Sequence, residues 1–153
     1  CFSRVTVESQ YDRALALAKA YGFDAIENRT PELGVSRTIF LGTQVMLDCD
    51  AILYMVADQP LLRQDSVRAV AERWTREPDC IVGAAHNGKR GNPCIFPKKL
   101  FPELLALTGD TGGSRVIRQH EDLLRLVEIP PEELYDCDTK LALDTLKAET
   151  GAS

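Results

Sequence analysis

Three aspartates are the residues of this 153-residue sequence that are best suited to chemistry. Asp58 follows the apolar run 51–57, which predicts a position at the carboxyl end of a buried strand, where open α/β sheets bind ligands. Asp136 and Asp138 alternate along the chain, so on an extended segment their side chains point the same way. If the fold brings the three together, their oxygens can hold a divalent cation, because Mg²⁺ prefers carboxylate ligands.

Each of these aspartates also has a purely structural interpretation. Asp58 stands just before a Gln-Pro turn and can cap the helix that follows it. Asp138 or Thr139 can likewise cap a final helix predicted over 140–149. The sequence leaves both interpretations open for each aspartate.

Two polar segments that contain glycine, 86–92 and 108–115, are predicted to be flexible loops. In the first, Lys89 and Arg90 stand beside a glycine and can meet phosphate oxygens. In the second, closely spaced glycines let the backbone approach a ligand, with Arg115 nearby. A solvated surface loop is the simpler interpretation of each, because loops of this composition are common.

Short apolar runs that alternate with helical patterns predict an α/β fold with mostly parallel strands, in a single domain over 1–153. Strands are predicted at 2–8, 23–27, 51–57, 80–85, 94–96 and 123–129. Helices are predicted at 11–21, after a cap at Ser36, at 67–74, at 101–107 and, after a cap at Thr139, at 140–149. This order places each candidate aspartate between a strand and a helix.

Composition and charge exclude several classes of function. The 18 lysines and arginines against 23 acidic residues leave a net charge of −5, which disfavours binding to nucleic acid. The run 51–57 is far shorter than the roughly 20 residues of a membrane span, and no basic-then-apolar leader opens the chain. Five widely spaced cysteines without a Cys-x-x-Cys pair indicate reduced thiols in a cytoplasmic protein, rather than a disulfide scaffold or a zinc site.

Five short motifs, taken in order, resemble the molybdenum cofactor cytidylyltransferase family, which are nucleotidyltransferases of glycosyltransferase-A-like fold. The motifs are Asn28 with Gly34-x-Ser36-x-Thr38, Ala-Asp-Gln-Pro at 57–60, Gly-Asn-Pro at 91–93, Gly-Asp-x-Gly-Gly at 109–113, and Asp-x-Asp-Thr at 136–139. The resemblance covers nearly the whole chain. It implies a three-layer α/β/α fold with a mostly parallel, Rossmann-like sheet.

The resemblance also implies a reaction. A nucleoside monophosphate passes to the phosphate of molybdopterin and pyrophosphate leaves, with CTP as the expected donor and GTP as the alternative. The implied cofactor is Mg²⁺, and a molybdoenzyme or its chaperone is the implied recipient of the product. No partnership with nucleic acid or with a membrane is expected.

Roles for individual residues follow from the same resemblance. Asp58 and Asp138 are implied to be catalytic and to bind Mg²⁺, with Asp136 as the alternative second ligand. Nucleotide binding is assigned to Gly34, Ser36 and Asp58. Acceptor binding is assigned to Asn92, Asp110 and Arg115, although Arg115 stands one residue later than the arginine of the family.

The sequence departs from the family at one diagnostic motif. No match occurs for the Leu-Ala-Ala-Gly-x-Ser-x-Arg-Met-Gly loop that wraps the triphosphate, and residues 1–8 resemble the second strand of the family. We therefore expect that a strand and loop are missing upstream and that this chain alone is a poor enzyme. Two alternative functions are a nucleotidyltransferase acting on a sugar phosphate or other phosphorylated alcohol, and a non-catalytic nucleotide-binding module.

Overall fold

The computed structural model describes residues 2–151, in which strands and helices alternate. The strands are β1 (Thr6–Ser9), β2 (Asp24–Glu27), β3 (Ala51–Tyr54), β4 (Ile81–His86), β5 (Lys89–Pro97) and β6 (Leu124–Glu128). The helices are α1 (Asp12–Ala20), α2 (Val35–Gln44), α3 (Gln64–Arg76), α4 (Phe101–Leu105), α5 (Ser114–Gln119) and α6 (Lys140–Thr150). None of the helices within 2–151 is both long and apolar enough to cross a membrane.

The chain divides into two compact units. The first comprises Cys1–Ile52, Pro78–Ile81 and Phe96–Leu124. The second comprises Leu53–Glu77, Val82–Ile95 and Arg125–Ser153. The single domain predicted over 1–153 stays a prediction.

The first unit contains a parallel pair of strands joined by a helix. β1 and β2 pair from Thr6 opposite Asp24 to Ser9 opposite Glu27, and α1 connects them while burying its Leu15. This is the local βαβ arrangement that parallel pairing requires. α2 follows β2 and packs against α4 and β1 through a face that includes buried Ile39.

The second unit holds most residues of a four-stranded sheet in the order β3-β5-β4-β6. β4 and β5 form an antiparallel hairpin with Val82 opposite Ile95 and His86 opposite Lys89. Buried apolar side chains of β4 and α3, among them Val82 and Val70, form the core of this unit. The α/β class and the mostly parallel sheet predicted from the sequence are confirmed, and the hairpin is the antiparallel addition.

Two local predictions are wrong. Residues 86–92 are not a flexible loop, because only Asn87 and Gly88 form the turn and β5 begins at Lys89. Both turn residues have positive φ, 49° and 77°, which is the geometry that an Asn-Gly hairpin turn favours. Ser36 does not cap α2 either, because the helix begins at Val35 and Ser36 is buried within its first turn.

Other local predictions are confirmed. Thr139 caps α6, since its Oγ1 accepts a hydrogen bond from the Ala142 N–H at 3.1 Å. The glycine-containing segment predicted as a loop over 108–115 is a loop through Gly113, and its last two residues begin α5. Four cysteines of the described chain are free thiols, and Cys1 lies outside the described residues.

Candidate active site

The three aspartates predicted to bind a metal come together in the second unit. Asp58 lies four residues beyond β3, and Asp136 and Asp138 lie just before α6. The pKa of Asp58 is raised above its ordinary value, first by burial, then by the negative charge of Asp136, and also by a side-chain hydrogen bond with Asp138 and the charge of that residue. These effects require the three carboxylates to be close neighbours.

One of the two carboxylate oxygens of Asp58 has no hydrogen-bond partner. Its Oδ1 atom is buried and accepts no hydrogen bond, although a buried polar atom without a partner is costly. A carboxylate in this state, next to two others, is a suitable ligand for a hard divalent cation. The residues present therefore fit the metal that the sequence motifs imply.

The site is not a complete protein cage for a metal. Among residues 2–151, no group of three or more His, Cys, Asp and Glu side chains is arranged to hold a metal ion. This matches Mg²⁺ chemistry at nucleotide sites, where one or two carboxylates contribute and substrate phosphates and water supply the other ligands. The assignment of Asp58 and Asp138 as ligands, with Asp136 as the alternative, stays a prediction.

Removing the charge of Asp58 is expected to stabilise the metal-free protein. Because the pKa of Asp58 is raised by folding, its ionisation in the native state costs stability as the pH rises through that pKa. With a chelator present, Asp58→Asn should unfold at a higher temperature than the wild type at pH 8. The difference should vanish well below pH 4, because the ordinary pKa of aspartate is about 3.9 and the group is then protonated in both states. A lower melting temperature for the variant at pH 8 would show that the negative charge of Asp58 does not destabilise the metal-free protein.

A cavity of about 350 Å³ lies in the first unit, at the carboxyl ends of β1 and β2. Its lining includes Glu8, Tyr11, Asn28, Gly34, Thr38 and Asp110. This volume is in the range of small-molecule pockets, about 300–1,000 Å³. The position agrees with the general tendency of parallel sheets to bind ligands beyond their carboxyl edges.

Glu8 is the titratable group of this cavity whose environment is unusual. Burial raises its pKa, while hydrogen bonds from Thr38 and Asn28 and the charge of Arg37 act in the opposite direction. The Asn28 Oδ1 atom accepts a hydrogen bond from the Thr30 N–H at 3.0 Å, which leaves the amide NH₂ group to donate to Glu8. Glu8 is thus a half-buried hydrogen-bond acceptor held in place by neighbouring donors.

Gly34 and the Gly109-Asp110 segment form one wall of this cavity. An Asp110 carboxylate oxygen accepts a hydrogen bond from the Val35 N–H at 3.3 Å, and the Gly109 carbonyl accepts one from the Ser36 N–H at 3.1 Å. The loop therefore satisfies the start of α2 in place of a capping side chain. Gly34 and Asp110, which the resemblance assigned to different substrates, line the same cavity, whereas the side chain of Ser36 is buried within α2.

Gly34 cannot carry a side chain in this arrangement. Its φ is +84°, and a Cβ atom would lie 2.7 Å from both the Asp110 Oδ1 and the Gly109 carbonyl oxygen. We expect Gly34→Ala to cost about 1–2 kcal/mol for the left-handed backbone and a further 1–3 kcal/mol, about the cost of overpacking, for these contacts. Gly22→Ala is the matched control, because Gly22 has φ +77° but open space around its Cβ position. Equal losses of unfolding free energy in urea would show that the contact with the loop is unimportant.

The other predicted residues lie elsewhere. Asn92 is half-buried on β5 in the second unit, and Arg115 is exposed in the first turn of α5 in the first unit. Their assignment to an acceptor remains a prediction. Cys94, next to the Gly-Asn-Pro motif, is no nucleophile, because burial raises the pKa of its thiol to about 12.

Glu8 was not predicted from the sequence as a site residue. One signal could have identified it: Glu8 lies at the end of β1, and Asn28 directly follows the parallel strand β2. Polar residues at the carboxyl ends of neighbouring parallel strands meet at one edge of a sheet.

The chain is similar to one protein family and to several solved structures. Residues 1–123 match the family described as the MobA-like NTP transferase domain. No curated protein sequence matches the chain.

Several solved structures share the fold. A nucleotidyl transferase from Methanothermobacter thermautotrophicus has a TM-score of 0.72 and 19% identity, covering 96% of this chain and 73% of its own. Rv0371c from Mycobacterium tuberculosis, in complex with manganese, has a TM-score of 0.70 and 19% identity, covering 95% and 78%. CMP:2-keto-3-deoxy-manno-octonic acid synthetase, in complex with CTP, has a TM-score of 0.69 and 14% identity, covering 97% and 81%. These likenesses confirm the glycosyltransferase-A-like nucleotidyltransferase fold.

Proposed function

Because the chain belongs to the MobA-like NTP transferase domain family, we propose that it transfers CMP from CTP to the phosphate of molybdopterin, with release of pyrophosphate. GTP is the alternative donor. The product passes to a molybdoenzyme or its chaperone in the cytoplasm. The observation that carries the proposal is the cluster of Asp58, Asp136 and Asp138, in which one buried oxygen lacks any partner.

The proposal assigns the metal to the second unit. Asp58 and Asp138 would hold Mg²⁺, with Asp136 as the alternative to Asp138, and the bound ion would offset the negative charge of the phosphates. The structure of Rv0371c with manganese supports a divalent cation in proteins of this fold. The aspartates themselves do no covalent work and contribute by holding charge in a fixed position.

The proposal assigns the nucleobase to the cavity of the first unit, where Gly34 was expected to act. Cytosine and guanine both carry an exocyclic amino group, and an ionised Glu8 can only accept hydrogen bonds. Glu8 therefore suits the amino group of either base, and it disfavours uracil, which carries a carbonyl oxygen where cytosine carries its amino group. The CTP-bound synthetase of the same fold supports the choice of CTP.

Fewer observations bear on the acceptor than on the nucleotide. Asn92, Asp110 and Arg115 are proposed to contact it, with Asp110 also supporting the start of α2. A sugar acid is a specific alternative acceptor, because one protein of this fold is a CMP-sugar-acid synthetase. Assaying molybdopterin and phosphorylated or acidic sugars in parallel, by release of pyrophosphate, decides between them.

Calorimetric titration of this chain tests the proposal. We expect saturable binding of Mg·CTP, weaker binding of Mg·UTP, and loss of metal-dependent binding in Asp58→Asn. Titration with Mg·GTP in the same series tests GTP as the alternative donor. Binding that is equal for all nucleotides, or unchanged in Asp58→Asn, would overturn the assigned roles. Turnover is measured on the protein with any residues that naturally precede Cys1. If that protein binds nucleotides with these preferences but shows no turnover, the non-catalytic module is favoured.

A further inference from the structure

A buried glutamate lies close in sequence to the acidic cluster and has no role in the reaction as described. Glu133 belongs to the 3₁₀ turn Pro131–Leu134 and is only 1% exposed. Glutamate is rarely buried to this extent unless a partner compensates for the lost hydration. Its position three residues before Asp136 suggests that it supports the geometry of the cluster.

The partner of Glu133 is the backbone at the start of α3. Its Oε2 atom accepts a hydrogen bond from the Arg63 N–H at 2.9 Å, and Arg63 is the N-cap of this 13-residue helix. A carboxylate at this place also interacts favourably with the helix dipole. The bond fixes the end of the loop 58–63 that is remote from Asp58.

The opposite end of the same loop is held by the same stretch of chain. The Cys137 N–H donates a hydrogen bond to the Asp58 carbonyl at 2.6 Å. Residues 133–137, which we name the anchor segment, therefore bind both ends of the loop 58–63. Cys137 lies between the two aspartates, so this bond also sets the position of their side chains relative to Asp58.

A third contact holds the anchor segment against the sheet. A Cβ atom at Gly91 of β5 would lie 2.7 Å from the Leu134 Cδ2 atom, so the glycine leaves the room that Leu134 occupies. This gives the glycine of the Gly-Asn-Pro motif a packing role. The anchor segment is thus fixed by one apolar contact and two hydrogen bonds.

The aspartates hold this segment weakly, because the hydrogen bond between Asp138 and Asp58 is opposed by charge repulsion. Asp136 and Asp138 are exposed, and their negative charges repel that of Asp58 when no cation is bound. An exposed segment under like-charge repulsion moves away unless other contacts restrain it. Glu133 is a buried polar group whose hydrogen bond to the Arg63 N–H can supply such a restraint.

We propose that Glu133 is a positioning residue, which holds Asp136 and Asp138 next to Asp58 so that a divalent cation meets a preformed pair of carboxylates. The metal part of this inference rests on the proposed function. The restraint of the anchor segment does not, and it can be measured without any ligand.

The first experiment measures amide hydrogen exchange of the metal-free chain in Glu133→Ala, Glu133→Gln and Val70→Ala. Loss of the acceptor in Glu133→Ala should speed exchange at least about tenfold in segments 58–63 and 134–139, through local opening. Glu133→Gln keeps an acceptor oxygen and should stay close to wild type. Val70→Ala removes buried volume from α3, where Val70 is 0% exposed, and controls for general destabilisation. Equal exchange in 134–139 for Glu133→Ala and Val70→Ala would overturn the restraint.

The second experiment measures binding of Mn²⁺ in the presence of CTP, by electron paramagnetic resonance. Loss of a supporting hydrogen bond behind metal ligands typically weakens binding about 10- to 100-fold, and we expect this for Glu133→Ala. Glu133→Gln should restore affinity, and exposed Glu132→Ala should not change it. Wild-type affinity in Glu133→Ala would overturn the positioning role. Absence of Mn²⁺ binding in the wild type would instead contradict the proposed function, while the exchange experiment still decides the restraint.

Discussion

Asp58→Asn is expected to lower turnover at least about 10²- to 10³-fold, the usual scale for losing one electrostatic contribution to a charged transition state. The substitution keeps the shape of the side chain but removes the charge that a cation needs. It also removes the repulsion of Asp58 by Asp136 and Asp138, so the protein should remain folded. Turnover is measured as pyrophosphate release from Mg·CTP and molybdopterin, on the protein with any residues that naturally precede Cys1.

A matched variant separates this effect from a general loss of negative charge. Asp65 lies in the same unit, in the first turn of α3, and its side chain is 92% exposed. Asp65→Asn should leave turnover and metal binding unchanged. Turnover in Asp58→Asn that equals that of Asp65→Asn would remove the metal role from Asp58.

Glu8→Gln is expected to change the choice of nucleobase. A hydrogen bond to a charged group contributes about 1.5–3 kcal/mol, so affinity for CTP should fall about 10- to 100-fold. The neutral amide can also donate a hydrogen bond to the carbonyl oxygen of uracil. We therefore expect the ratio of CTP affinity to UTP affinity to fall by a larger factor than the CTP affinity itself falls. Calorimetric titration with both nucleotides measures this ratio.

The control for Glu8→Gln lies on the neighbouring strand. Glu27 ends β2 but forms an exposed ion pair with Arg29, outside the cavity lining. Glu27→Gln should leave both affinities as they are in the wild type. A ratio of CTP to UTP affinity that is unchanged in Glu8→Gln would show that the cavity does not recognise the amino group of the base.

Burial of Glu8 adds a pH signature to the same experiment. Because its pKa is raised, Glu8 becomes protonated at a higher pH than an exposed glutamate does. A protonated carboxyl loses much of its strength as an acceptor, so affinity for CTP should decline as the pH falls through this pKa. Glu8→Gln should not show this decline.

Local features of this fold could be predicted from the sequence, because neighbouring residues decide them. α1 ends before Gly22, and Thr139 caps α6, both as expected from helix capping chemistry. The β4–β5 turn belongs to the same class, since Asn87-Gly88 is a strong hairpin signal. The polar composition of 86–92 predicts a loop, but it fits an exposed hairpin end equally well, and the turn residues restrict the loop to 87–88.

The candidate site depended on contacts between distant parts of the chain. The sequence by itself determined which carboxylates follow strands, and the resemblance of its motifs to the family predicted that Asp58 and Asp138 act together. Tertiary structure decided that Asp58 has a buried oxygen without a partner, that Asp110 supports α2 beside Gly34, and that Glu133 reaches Arg63. The physical reason is that burial and charge repulsion depend on which residues pack together in space, whereas caps and turns depend on residues within one or two turns of the chain.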